Sequence, residues 1–218
     1  MSGQRRGPSH GSRGRGRSRN GSRAGTRSGT PLAPNPPGAH FLTDQRIIAQ
    51  LIAASGVCPG DLVLDLGAGY GALTLPLART GARVIAVELD PGLARTLTRR
   101  CQPYPQVTVV TADLRTIPLP RRPFRVVASP PFSLTALLLR RLLDGDAQAQ
   151  APAQAASLLS ADLILELGAA RGLADAAAAG RRARYDIELL RPVRAASFSP
   201  PPARDAAHVH IRPGRKRR

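Results

Sequence analysis

Apolar residues in this chain come in short runs, and most runs end on a polar or acidic residue. Leu62-Val63-Leu64-Asp65-Leu66 has strand character and breaks at Gly67-Ala68-Gly69-Tyr70-Gly71, with a helix-like segment from Ala72 to Arg79 behind it. A second strand over 83–88 ends on Glu88. A helix then opens with Pro91 at its first position, where a missing N–H is harmless, and runs to about Arg100. Gln106–Val110 reads as a third strand leading to Thr111-Ala112-Asp113-Leu114. Phe124–Ala128 is a fourth, running straight into Ser129-Pro130-Pro131-Phe132. The helix predicted over 134–143 has leucines on one side and Arg140-Arg141 on the other. Ala161–Leu167 is a fifth strand, and the helix over 168–180 is broken by Gly172 and ended by Gly180. Tyr185–Leu190 and Ala206–Ile211 are the last two strands. Upstream, Ile47, Ile48, Leu51 and Ile52 fall at helical spacing within Gln45–Ala54, stopped by Gly56 and Pro59-Gly60. Strands alternating with helices, then a late strand pair, predict an α/β fold: a doubly wound, mostly parallel sheet with an antiparallel edge.

Charge changes the picture more than length does. The 218 residues suffice for one ordinary domain with tails. Lys and Arg number 32 against 14 Asp and Glu, a formal net charge of +18, and Lys216 is the only lysine. A high-GC coding bias explains arginine over lysine, but not the shortage of acids. Arginine forks match phosphate geometry, which favours nucleic acid as the partner. Residues 1–38 contain arginines 5, 6, 13, 15, 17, 19, 23 and 27, no acid and almost no apolar content. Such a segment cannot bury enough surface to offset its ordering entropy. It is expected to be disordered, and either grips RNA phosphate or serves as a solvated linker. Residues 39–213 are then the folded domain and 214–218 a basic tail. Cys58 and Cys101 build no disulfide framework and show no metal-ligand spacing. The N-terminus lacks an apolar h-region, and no stretch approaches about 18 apolar residues. A soluble, cytoplasmic protein with reduced thiols, no metal and no membrane association is the expectation.

The glycine turn lies between strand and helix, where unpaired backbone N–H groups are expected to face a ligand. With Ala72, Gly67-x-Gly69-x-Gly71 also satisfies the dinucleotide pattern, so glycines alone leave NAD and other nucleoside cofactors open. Asp65 separates them. A carboxylate at the mouth suits a cofactor with an ammonium group, as S-adenosyl-L-methionine has, and repels a pyrophosphate. Its bland alternative is a turn cap. Glu88, about 20 residues downstream, is placed to grip a ribose diol, or is a solvated loop acid. Asp113 can accept from an adenine amine, or simply serve its turn.

Ser129-Pro130-Pro131-Phe132 carries the more specific chemistry. An exocyclic base nitrogen is a poor nucleophile because its lone pair is delocalised into the ring. Accepting hydrogen bonds from its two N–H groups holds it pyramidal and aims the lone pair at a methyl group. Ser129 Oγ and the Pro130 carbonyl can be those acceptors, on backbone stiffened by proline. Phe132 can stack on a flipped base. The alternative is a plain Pro-Pro loop. His208 and His210 share one face of a strand, where packing outweighs metal binding. His40 and Phe41 precede the first helix, where a lip over the cofactor falls.

Taken in order, His40-Phe41-Leu42-x-Asp44, Asp65-x-Gly67-x-Gly69-x-Gly71-x-Leu73-Thr74, Glu88-x-Asp90, Asp113-Leu114, Ser129-x-Pro131-Phe132 and Phe198-x-Pro200-Pro201-Pro202 form a familiar series. Across about residues 39–213 it resembles the Erm family of 23S ribosomal RNA adenine-N6 methyltransferases, relatives of the KsgA-type adenine dimethylases. The resemblance implies a Rossmann-like class I methyltransferase sheet and resistance to macrolides, lincosamides and streptogramin B. It implies S-adenosyl-L-methionine as cofactor, with the glycine loop on the methionine part, Glu88 on the ribose and Asp113 on the adenine. His40, Leu42, Leu114 and Ser129 join these contacts. It implies 23S rRNA as partner, met by a monomer before the ribosome is fully assembled. Three departures stand out. Ser129 replaces the usual Asn, a change shared with cytosine-N4 methyltransferases. Ala39-His40 replaces Gln-Asn. The sequence ends shortly after its last strand, whereas most relatives continue into a helical RNA-binding domain, whose affinity the arginine-rich tails are expected to replace in part. Methylation of another base amine, or RNA binding without catalysis, are the alternative readings.

Overall fold

The computed structural model describes residues 39–144, 157–181 and 184–214, all within the compact unit Asn35–Arg218. Segment 1–38, the Gly145 to Ala156 connection and residues 215–218 lie outside the described residues, and so do the expectations made for them.

In chain order the elements are β1 (Phe41–Leu42), α1 (Gln45–Ser55), β2 (Leu62–Leu66), α2 (Thr74–Arg79), β3 (Arg83–Glu88), α3 (Pro91–Cys101), β4 (Val107–Thr111) and β5 (Phe124–Ala128). They continue with α4 (Thr135–Leu143), β6 (Leu158–Glu166), α5 (Leu167–Ala178), β7 (Tyr185–Val193), β8 (Phe198–Ser199) and β9 (Ala206–Pro213). The main sheet has seven strands in the order β4-β3-β2-β5-β6-β9-β7. Its first five strands are mutually parallel, and β9 runs antiparallel to both β6 and β7. The late pair thus forms the expected antiparallel margin, with the reversed strand one in from the edge. β1 pairs with β8 in a separate two-stranded ribbon that the sequence pattern did not predict.

Both faces of the sheet are covered. Leu62, Leu64 and Leu66 of β2 pack with Phe124, Val126 and Leu138 on one side. Val63 joins Ile48, Leu51, Leu77, Val127 and Ile164 on the other. Strands buried on both faces read as continuous apolar runs, which is why β2 and β5 were legible. Helix starts follow the capping rule. Asp44 accepts from Arg46 N and Ile47 N at 2.9 and 3.3 Å, and Asp90 from Gly92 N and Leu93 N at 2.7 and 2.8 Å.

Three local expectations are corrected. α2 starts at Thr74 rather than Ala72, because the glycine turn extends through Leu73. α5 runs through Gly172 unbroken, since its buried stripe of Ala170 and Leu173 outweighs one weak helix former. Arg141 does not lie on the polar face of α4. It is buried, 6% exposed, and donates to the Leu114 and Ile117 carbonyls. Arg140 remains exposed. On β9, His208 Nε2 and His210 Nδ1 lie 2.8 and 3.0 Å from Asp162 Oδ1 of β6, a polar cluster internal to the sheet. Among the described residues no group of His, Cys, Asp and Glu is arranged to hold a metal ion. No helix among them is long and apolar enough to cross a membrane.

Candidate functional site

β2 and β5 are neighbours, and the strand order departs from them in opposite directions. In open α/β sheets the crevice beyond the strand ends at such a point takes the ligand. β2 leads into the glycine turn and β5 into the proline corner, so sequence segments more than 60 residues apart are brought together there. A Cβ at Gly67 would lie 3.1 Å from Pro131 Cδ and 3.5 Å from Pro130 Cα. Turn and corner therefore pack against each other with no room for a side chain between them.

The turn is not an open cradle of amides. Gly67 and Ala68 donate to the Val87 carbonyl at 2.9 and 3.0 Å, and Gly71 to the Ala68 carbonyl at 2.8 Å. Gly69 N donates to Glu88 Oε2 at 2.7 Å. Donors already satisfied cannot wrap a pyrophosphate, which argues against a dinucleotide and for a ligand read by acids. Gly69 and Gly71 line neither of the two cavities described below and act through packing instead. A Cβ on Gly69 would sit 2.7 Å from Phe41 Cε1, and one on Gly71 2.5 Å from Leu97 Cδ1.

A cavity of about 590 Å³ is lined by the acids Glu88, Asp90 and Asp113 and by Leu89, Leu114, Pro131 and Leu134, among others. A second, of about 230 Å³, is lined by Leu42, Thr43, Asp65, Ala68, Tyr70 and Leu73, among others. His40, Phe41, Gly67 and Ser129 line both. The larger chamber offers carboxylates for hydroxyls and leucines for a flat ring. The smaller offers one deep carboxylate for a cation. A molecule with a nucleoside at one end and an ammonium at the other fits this pair, with its middle at Ser129.

Asp65 is 1% exposed and accepts a 2.6 Å hydrogen bond from Thr74 Oγ1. Burial pushes its carboxyl up to about 7; the Thr74 hydroxyl opposes this, and the Glu88 charge adds to it. Asp65 thus does hold its turn, through Thr74, and also faces the smaller cavity. Glu88 Oε1 accepts from Asp90 N at 2.9 Å while Oε2 holds Gly69 N. Each oxygen keeps a further lone pair for a ligand hydroxyl. Asp113 is gripped by Arg115, whose Nη2 lies 2.6 Å from Oδ2 and whose backbone N donates to Oδ1 at 2.8 Å. The Arg115 hydrogen bonds hold the Asp113 carboxyl below its usual range.

At the corner, Pro130 is buried and lines neither cavity; Pro131 lines the larger. Phe132 is half-buried, edge-on to Phe198 at 5.9 Å and 6.2 Å from the His40 ring at a 31° tilt. Phe41 pairs with Ser199 and Leu42 with Phe198, and His40 Nδ1 lies 2.9 Å from the Pro200 carbonyl, which forms a lip beside both cavities. Phe41 stacks near Tyr70, with ring centroids 5.0 Å apart.

Two contributors escaped sequence reasoning. Thr74 stood in the motif series, but nothing local marks a helix-starting threonine as the partner of a strand carboxylate nine residues earlier. Arg141 fastens α4 to the loop carrying Asp113 and Leu114. Its signal was available, since position 141 shares the helical face of Leu138 and Leu142.

Fold and site together define a class: a doubly wound α/β protein with two adjoining acid-lined cavities at its strand tips, beside a proline corner. The model of the ribosomal RNA adenine dimethylase family matches residues 36–217. Over 183 residues the chain is 36% identical to ribosomal RNA small subunit methyltransferase A of Thermosynechococcus vestitus, covering 82% of this chain and 69% of that protein. It is 29% identical over 184 residues to an rRNA adenine N-6-methyltransferase of Bacillus licheniformis, covering 82% of this chain but only 61% of the relative. The crystal structure of the 23S rRNA methyltransferase ErmE superposes with a TM-score of 0.67 at 28% identity, over 80% of this chain and 70% of that one. The chain belongs to the ribosomal RNA adenine dimethylase family.

Proposed function

We propose that this chain is an S-adenosyl-L-methionine-dependent enzyme that methylates the N6 amine of an adenine in 23S rRNA, conferring macrolide–lincosamide–streptogramin B resistance. The observation that carries the reading is the junction at Ser129, where an acid-lined nucleoside chamber and the Asp65 chamber meet beside a proline corner. In this reading Glu88 takes the ribose hydroxyls, Asp113 and Leu114 the adenine, and Asp65 the amino group, with His40 and Leu42 closing over them. When bound there, the cofactor supplies an electrophilic methyl group on sulfur. Ser129 Oγ, at the junction, accepts from an N–H group of the target amine and helps hold its lone pair on line; the Pro130 carbonyl, expected as the second acceptor, borders neither cavity. Phe132 supports the swung-out base. The arginine-rich chain meets its RNA in the cytoplasm, as a monomer, before the large subunit is complete.

A second reading, methylation of small-subunit rRNA, is favoured by the name of the relative at 36% identity. One experiment separates the readings: transfer of labelled methyl to protein-free large- and small-subunit rRNA, followed by nucleoside analysis. N6-methylated adenosine in 23S rRNA is the expected product. Label confined to small-subunit rRNA supports the second reading, and label in methylcytidine moves the target to cytosine N4. Cofactor binding with no transfer at all leaves an RNA-binding relative. Ser129→Ala should lose most activity and Ser129→Asn keep or raise it; equal rates remove Ser129 from the site.

A further inference from the structure

Methylation builds positive charge on N6 and releases one of its protons, and a neutral serine hydroxyl is a poor acceptor for that proton. Building on the adenine-N6 reading, we propose that the His40 imidazole takes it through Nε2.

The tautomer is set by the lip. The Pro200 carbonyl, 2.9 Å from His40 Nδ1, can only accept, so Nδ1 carries the hydrogen and Nε2 keeps the free lone pair. His40 lines both cavities together with Ser129, the junction at which the proposed function places the reacting groups. It also faces Phe132, the ring assigned to the target base, at a centroid distance of 6.2 Å. Its backbone is held next to the Phe41–Ser199 pairing, which keeps the imidazole on station. The charged groups sharing those walls are Asp65, Glu88, Asp90, Asp113, Arg100 and Arg115. Asp44, at the start of α1, is engaged with its helix amides and with Ser197 Oγ. In the step itself, the N6 lone pair forms the N–C bond while the C–S bond breaks and leaves its electron pair on sulfur. In the same step one N6 proton passes to Nε2 as the N–C bond forms, and the imidazolium then gives it to water. The two residues divide the work: Ser129 orients the amine and His40 discharges it.

The test is single-turnover methyl transfer at saturating cofactor with wild type, His40→Ala and His40→Gln, each with and without added imidazole. At saturating cofactor, which removes any change in cofactor affinity from the readout, His40→Ala should slow transfer by about 100-fold, in the range of a lost general base. Imidazole should restore His40→Ala and leave wild type unchanged. His40→Gln keeps a side-chain acceptor without a basic nitrogen and should stay slow. A fast His40→Ala or His40→Gln overturns the inference, and so does a slow His40→Ala that imidazole does not restore. Wild type without any transfer would instead refute the proposed function, so the two failures are distinguishable.

Discussion

Protonation of Asp65 should control cofactor affinity near neutral pH. The carboxyl is buried and pushed up to about 7, with desolvation as the main cause. An ammonium group binds the ionised form, so the apparent affinity follows the ionised fraction. That fraction is about nine-tenths at about pH 8 and about one-tenth at about pH 6. The Kd for S-adenosylmethionine should therefore rise about tenfold between those values, with uptake of the ligand releasing close to one proton at the acid end. A carboxylate with the usual value of 3.8 would be fully ionised throughout and give a flat profile. The same shift has a consequence for the fold. Because the folded value lies above the unfolded one, the neutral carboxyl contributes stability below about pH 4. That contribution is lost as pH rises through about 7, an effect on the order of 4 kcal/mol. Isothermal calorimetry at several pH values, in buffers of different ionisation enthalpy, reads both Kd and proton release. Asp65→Asn should bind weakly at every pH and lose the slope. A wild-type Kd that does not change across this range would refute the assignment of Asp65 to the ammonium.

Further outcomes follow from the packing. Gly69→Ala places a Cβ 2.7 Å from the Phe41 ring at a positive φ of 53°, and should displace the lip and raise the cofactor Kd at least tenfold by calorimetry. Arg141→Met should free the Asp113–Ile117 loop, raising the cofactor KM about tenfold with kcat little changed, and lowering stability by about 1–3 kcal/mol in urea melts. Deleting residues 1–38 removes eight arginines and should weaken rRNA binding and flatten its dependence on salt; an unchanged slope removes the segment from RNA recognition.

What could be seen in the sequence was local and periodic. β3 and β5 have the predicted limits because their apolar runs stop at Glu88 and Ser129, and α3 begins where Asp90 and Pro91 say it should. Glu88, Asp113 and Ser129, which line the larger cavity, stand out in the sequence because acids and small polar residues at strand ends have few structural reasons to be there. What escaped was long-range. The ribbon between Phe41–Leu42 and Phe198–Ser199 has two residues on each side, too few for any pattern. The turn amides were expected to be free because chain order does not reveal that Val87 and Glu88 would reach them. Arg141 was assigned to solvent on its charge alone, although a buried guanidinium is stable where two loop carbonyls receive it.

The lip has an implication for biosynthesis. His40 and Pro200 are 160 residues apart, yet the lip beside the two cavities requires both. A nascent chain can assemble the β2 and β3 half of its pocket early, but the lip must wait until residue 200 has cleared the exit tunnel. In the proposed function, capture of the cofactor is thereby deferred until the Phe198–Pro200 segment is available, and a product lacking that segment should retain a methyl donor poorly.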